Sequence, residues 1–303
     1  TIAVTLGRRA HRDRPAAATS RVPVGRIGSS PVKLQRRPWP TRPLTLLPGH
    51  GSRLRLDAWP TDATVGHLVV LDHDHVPTPD ELERTIDRGR ARGLRALRTS
   101  ALFPEAASAL RSHGFEPIDT LALLRRDLRD LHDLRDLRDV NDRHDTDALT
   151  GTAERAVPRV RRLRRHHHAA AAVADRDAFG TRWGYDATAV SEVRRATPVH
   201  HARRIADRTT VDGYAISGAG ATTGYLQRLA VRSDHRRRGL ASALVTDALR
   251  WMTTRGVDSA LVNTSVENTA ALALYERFGF AALPERLTVA ELALTPTDDE
   301  ARP

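Results

Sequence analysis

One stretch narrows the possible folds more than any other. Gly224 to Val231 is strand-like, Arg232 to Arg238 is a basic turn, and an apolar-periodic helix follows from Leu240. A strand that passes through a short loop into a helix belongs to a layered fold in which sheet and helix bury each other's apolar face. The first backbone N–H groups of a helix have no intrahelical partner and lie at the positive end of the dipole, so such a junction suits a phosphate or diphosphate. Gly239 and Ala241 keep the approach open, while Arg236, Arg237 and Arg238 add charge.

The surrounding pattern extends the same architecture. Asp212 to Ser217 and Gly224 to Val231 read as a hairpin around the turn residues Gly218 to Thr223. Leu240, Ala243, Leu244, Ala248 and Trp251 recur at helical spacing. Ser259 to Thr264 then reads as a strand, Asn268 to Phe278 as a helix and Leu287 to Leu294 as a last strand. Asn268 and Tyr275 are seven residues apart, so a helix carries them on one face about 10 Å apart along its axis. Ala271, Leu274 and Phe278 share the Tyr275 stripe, which also fits a core aromatic.

Arg236-x-x-Gly239-x-Ala241, followed by Asn263-Thr-Ser-Val-Glu-Asn268 and Tyr275-Glu-Arg-Phe-Gly-Phe280, resembles the acetyl-coenzyme A signature of the GNAT superfamily of N-acetyltransferases. The resemblance covers about Ala169 to Leu294 and is best from Gly224 to Phe280. It implies that the strand ending at Val231 splays from its neighbour and offers Leu229, Ala230 and Val231 to the pantetheine arm. Diphosphate contacts are implied at Arg236, Arg237, Arg238, Gly239, Leu240, Ala241 and Ser242. Asn268 and Ala271 are implied cofactor contacts on the next helix, and Tyr275 is the implied proton donor to the departing thiolate. A phenol, with a pKa near 10, can donate at neutral pH.

The acceptor amine must lose a proton before it attacks. Ribosomal-protein N-terminal acetyltransferases of this superfamily carry a carboxylate where this chain has Asn263, and an amide cannot be that base. Glu267, Glu192, Asp212 and His200 are possible replacements, and none is assigned.

The first half carries an echo of the second. Arg92-Gly93, an apolar run, a helix and His113-Gly114-Phe115 parallel Arg255-Gly256 and the elements up to Phe278-Gly279-Phe280. Aligning the Gly-Phe pairs sets Phe103 against Asn268, Leu110 against Tyr275, and Leu71 to Val76 against the Arg236 to Ala241 loop. The first half thus lacks the polar devices for holding a cofactor. The expected fold class is α/β, layered α+β: tandem GNAT-like domains, each a central mixed β-sheet flanked by helices. Residues 1–128 form the degenerate domain, 129–150 a polar linker, 151–295 the catalytic domain, and 296–303 a disordered tail. Arg125 to Val140, with Leu at every third position among Arg, His and Asp, builds no lasting apolar stripe and reads as that linker. Ile2 to Gly51, with several prolines and a Gly49-His50-Gly51 turn, is less regular.

Composition removes several function classes. The chain has 303 residues and no cysteine, which excludes disulfides, thiolate metal sites and a cysteine nucleophile. The formal charge of +11 rests on arginine, with Lys33 the single lysine. GC-rich coding produces that bias in any family, so nucleic acid is not the expected partner. Asp72-His73-Asp74-His75 has ligand-type residues without identifiable companions and reads as a loop, so no metal is expected. Arg161 to His168 could meet an acidic or phosphate-bearing partner, and reads more simply as a solvated helix start. No apolar run is long enough to span a bilayer, and the expected setting is cytoplasmic with no membrane partner.

The expected activity is acetyl transfer from acetyl-coenzyme A, as cosubstrate, to a primary amine: a protein N-terminus, a lysine or a small molecule. A mycothiol synthase-like small-molecule acetyltransferase is one alternative. A noncatalytic protein that senses coenzyme A or binds nucleic acid is another. The oligomeric state is not legible in these residues.

Overall fold

The computed structural model describes residues 53–72, 75–129, 158–206 and 210–294. Ile2 to Gly51, the body of the linker and the 296–303 tail lie outside the described residues, as do His73 and Asp74. Ten strands form one sheet in the order β1-β2-β3-β10-β4-β9-β8-β7-β6-β5.

The first half comprises β1 (Leu54–Trp59), β2 (Asp62–Val70), α1 (Pro79–Ala91), β3 (Ala96–Thr99), α2 (Pro104–Arg111) and β4 (Glu116–Asp127). The second comprises β5 (Arg161–Arg162), α3 (His168–Trp183), α4 (Ala187–Arg195), β6 (Val199–Ile205), β7 (Gly213–Ala219), β8 (Thr223–Val231), α5 (Leu240–Thr254), β9 (Ser259–Ser265), α6 (Thr269–Arg277) and β10 (Ala281–Ala293). The series β2-α1-β3-α2-β4 recurs as β8-α5-β9-α6-β10. In both, the strands flanking the first helix are parallel, as a crossover helix requires. This is the mixed sheet flanked by helices that the sequence leads one to expect.

The two series exchange their last strands. β4 pairs with β9 of the second half, while β10 pairs with β3 of the first and also with β4. Each core is therefore closed by the other half. Ala290 and Leu294, on and just after β10, pack with Leu97, Leu110 and Phe115. Ala122 and Leu124 of β4 pack with Leu244, Val262 and Leu274. β7 is buried along its whole length, because Tyr214 and Ile216 meet α3 and α4 on one face and Ala215 and Ala219 meet α5 on the other. No helix among the described residues is long and apolar enough to cross a membrane.

Two sequence expectations shift here. Arg125 to Asp127, read as the start of the linker, finish β4 and pair with Leu261 to Ser259 of β9. β10 begins at Ala281, well before Leu287, because pairing with β4 holds an exposed segment that has no apolar alternation of its own.

Candidate functional site

The site starts where β8 and β9 part. Their parallel ladder holds only Thr223↔Ser259, Gly224↔Ala260 and Tyr225↔Leu261, although β8 runs on to Val231 and β9 to Ser265. On its other edge β8 stays paired with β7 as far as Val231, with a register shift between Ile216 and Ser217 that leaves Gln227 as the extra residue. A bulge bends its strand and sharpens the twist, which turns the end of β8 away from β9. Leu229, Ala230 and Val231 therefore line a splayed edge that has no strand beside it.

The loop after β8 is anchored at its near end. Arg232 N–H donates to the Asp212 carbonyl at 2.9 Å, and Ser233 donates through N–H and hydroxyl to Asp177 of α3 at 2.5 and 3.1 Å. Hydrogen bonds from His235 and then Arg232 hold the Asp234 carboxyl down at about 2. Beyond this anchor, Arg236 is extended, Arg237 has φ 62° and Gly239 has φ 76°. A positive φ is costly for arginine, and alternating left-handed residues turn successive amides into a concave anion nest. Gly239 is the N-cap of α5, makes no side-chain cap and has open space where a Cβ would stand. Arg236, Arg237, Arg238 and Gly239 are exposed, Ala241 and Ser242 partly so, and Leu240 is buried. The start of α5 thus carries no side-chain cap and follows three exposed arginines, of which Arg236 reaches the Ala178 carbonyl at 3.4 Å.

Asn268 is the N-cap of α6, and its side-chain oxygen accepts from Ala271 N–H at 3.1 Å. Its amide N–H groups remain for a ligand. Tyr275 is 1% exposed and stands edge-on to Phe280 at 5.7 Å. It shares a core cluster with Leu226 and Val262, the first residues past the point at which β8 and β9 part.

Two residues beyond the last paired rung come Gln227 on β8 and Asn263 on β9. Both are 4% exposed, and the side-chain oxygens of both are buried without a hydrogen bond. Leaving such an acceptor unmet costs about 1–3 kcal/mol. The four alternative bases fare differently. Glu267 and Glu192 are exposed, Asp212 accepts from Thr210 at 2.9 Å, and His200 accepts from Arg194 at 3.2 Å.

A buried ion pair supports the same region from behind. Asp175 of α3 and Arg228 of β8 have side chains 0% and 1% exposed, joined at 2.6 and 2.8 Å. Tyr214 O–H and Tyr185 N–H donate to the same carboxylate at 2.5 and 2.6 Å. The guanidinium stands 3.8 Å from the ring centres of Phe179 and Tyr185 and also donates to the Trp183 carbonyl at 2.8 Å. Burial works against the Arg228 charge, but Asp175 together with Tyr185 and Tyr214 more than offsets it, so its pKa sits above the ordinary value. Burial, then the adjacent Asp175, raises Tyr214 well above the usual phenol. The pair fixes the turn that leaves α3 at Gly180 (φ 71°). That turn also touches the first half: Trp59 Nε1 donates to the Arg182 carbonyl at 3.1 Å, the Trp59 and Trp183 rings meet edge-on at 5.9 Å, and Arg98 packs against both.

The first half shows the contrasting case. β2 and β3 stay paired through Leu68↔Thr99, and Ser100 N–H continues the contact to Leu68. The start of α1 is closed by a capping box in which Thr78 accepts from Glu81 N–H and Glu81 accepts from Thr78 N–H. Asp80 and Glu81 repel any anion that approaches. Phe103 is the N-cap of α2, where Asn268 caps α6, and Leu110 is fully buried. His75 of the Asp72 to His75 run bonds Glu81 at 2.8 Å, and no group of metal-type ligands occurs among the described residues. Thr78→Ala is expected to lower stability by about 1 kcal/mol, read in denaturant unfolding, without altering ligand binding by the second half.

Sequence reasoning missed Gln227, Asp175, Arg228 and the Trp183 turn. Two lone opposite charges, Asp175 after an alanine run and Arg228 within an apolar strand, were the available signal.

Residues 183–280 match the model of the acetyltransferase (GNAT) family. N-alpha-acetyltransferase 30 of Schizosaccharomyces pombe is 39% identical over 57 residues, 19% of this chain and 38% of that protein. N-alpha-acetyltransferase 30 of Saccharomyces cerevisiae is 46% identical over 57 residues, 19% of this chain and 32% of that protein. The chain thus spans less than two fifths of either relative's length. Among solved structures, a tandem GNAT protein from the clavulanic acid biosynthesis pathway superposes with a TM-score of 0.54 at 14% identity, over 81% of this chain and 79% of that one. That likeness shows the fold.

Proposed function

We propose that this chain, whose residues 183–280 match the acetyltransferase (GNAT) family model, transfers an acetyl group from acetyl-coenzyme A to a primary amine. The observation that carries the reading is the open start of α5 at the end of a splayed strand. Acetyl-coenzyme A would supply the activated acetyl thioester. The residues present fit it: the Arg237 to Ser242 amides offer donors to a diphosphate, and the free edge of Leu229 to Val231 offers backbone partners to a pantetheine arm.

The chain's own groups then have distinct tasks. An N–H of the β8 edge polarises the reacting carbonyl, and the rigid cleft brings amine and thioester together. Gln227 and Asn263 receive amine N–H groups at the mouth. Neither amide can take a proton, so the amine arrives neutral or loses its proton to water. Tyr275 holds a proton for the departing thiolate from the core side of the splay. The first half, with its closed α1 start, supports the Trp183 turn through Trp59 and Arg98 and takes no part in chemistry. The relatives' name, N-alpha-acetyltransferase, favours a polypeptide N-terminus among the candidate amines.

The test is Tyr275→Phe in acetyl-coenzyme A turnover against a panel of peptides and small amines. A kcat lower by about 10²-fold with unchanged coenzyme affinity is expected. Unchanged turnover removes Tyr275 as the donor. Coenzyme binding by the unmodified chain without turnover of any amine would favour a sensor instead.

A further inference from the structure

The basic run from Arg161 to His168 folds into something more specific than a solvated turn. β5 pairs Arg161 with Arg204 and Arg162 with Arg203 of β6. On β6 the side chains alternate. His201 and Arg203 turn to Asp247 of α5, at 2.6 and 3.4 Å. His200, Ala202 and Arg204 take the opposite face, where Ala202 packs with Leu163, Ala171 and Val190 between α3 and α4.

Into this face comes His168, the first residue of α3. It is 6% exposed, and its Nε2 is buried with no hydrogen bond. Nε of Arg204 is likewise buried and unmet. Arg194, in the last turn of α4, donates Nε to His200 at 3.2 Å. The N-cap of α3, His167, makes no side-chain cap, and no acidic residue occupies the first turn of this helix. The charges felt here are all of one sign. Burial and then Arg194, Arg165 and Arg195 push His168 down. Burial and then Arg162, Arg165 and Arg195 do the same to Arg194. Like charges gathered around unmet buried nitrogens, at the positive end of a helix, cost stability. A multi-oxygen anion beside His168 would meet its unpaired nitrogen and offset the neighbouring Arg194 charge together.

We propose that His168, Arg194 and His200 form a binding site for a phosphate group, on the face of the sheet opposite α5 and separate from the diphosphate loop. Guanidinium forks and imidazole N–H groups match the several acceptor oxygens of a phosphate dianion. Free phosphate and a phosphomonoester are the two sources of this chemistry.

Calorimetry tests it on the full chain saturated with coenzyme A, so that the α5 start is occupied. Inorganic phosphate and a simple phosphomonoester are titrated at constant ionic strength. Saturable binding is expected, weakened at least tenfold in Arg194→Gln and in His168→Gln, with coenzyme A affinity unchanged. Tighter binding of the ester than of the free ion points to a phosphorylated ligand, and equal or weaker binding to the ion itself. A phosphate-induced rise in Tm, lost in both variants, provides a second readout should either substitution weaken the fold. Absence of saturable binding by both anions, or undiminished binding in Arg194→Gln, overturns the proposal.

Discussion

Asp175→Asn should destabilise the folded chain by about 3–5 kcal/mol, because it strips the counter-charge from a guanidinium that has no access to water. The carboxylate accepts from Arg228, Tyr214 and the Tyr185 backbone, and an asparagine retains acceptor capacity on one atom only. Arg228, held between Phe179 and Tyr185, cannot move out to solvent. Thermal unfolding should therefore shift downward by roughly 10 °C for a structure of this size. The double variant Asp175→Leu with Arg228→Leu should recover part of the loss, since replacing both charges removes the desolvation cost of each. A single variant as stable as the parent would contradict the reading. The same change should loosen the turn at Trp183, whose carbonyl Arg228 holds.

The second large effect concerns ligand binding. Gly239→Asp should weaken coenzyme A binding by about 10³-fold. The substitution sets a carboxylate where the account seats a diphosphate. Two like charges about 4 Å apart repel by about 4 kcal/mol at the effective dielectric of a protein surface. Nothing lies within 4 Å of a Cβ at this position, and the left-handed φ of 76° is one that aspartate tolerates better than most residues. The fold should survive, so the loss would report on the ligand. Gly239→Asn, similar in shape without the charge, separates steric from electrostatic loss and should cost far less.

What could be read in the sequence was what is local. The α5 start was legible because an N-cap glycine, flanking arginines and an apolar helical stripe are contiguous, and the helix begins at Leu240 as its periodicity implies. β9 and α6 followed from the same kind of pattern. The exchange of β4 and β10 was not legible: it depends on partners far apart in the chain, such as Leu121 with Ser265 and Thr288 with Thr120, and alternation specifies a face without specifying a neighbour. The early part of β10, with Pro284, Glu285 and Arg286 exposed, has no strand signature at all. Gln227 escaped notice because a bulge is created by the register of two strands, and no single residue announces it. Asp175 and Arg228, 53 positions apart, each look like an ordinary surface charge until α3 is laid on β8. The pairing of Phe103 with Asn268 in the alignment of the two halves was more informative, since both residues stand at the N-cap of the corresponding helix.

The account's central claim is that the unpaired amides at the start of α5 hold the diphosphate of the coenzyme. Titration of coenzyme A into the unmodified chain, followed by calorimetry with and without inorganic pyrophosphate, tests it most directly. Saturable binding at one site per chain, weakened as pyrophosphate is added, is the predicted result. No saturable heat, or binding indifferent to pyrophosphate, would contradict it.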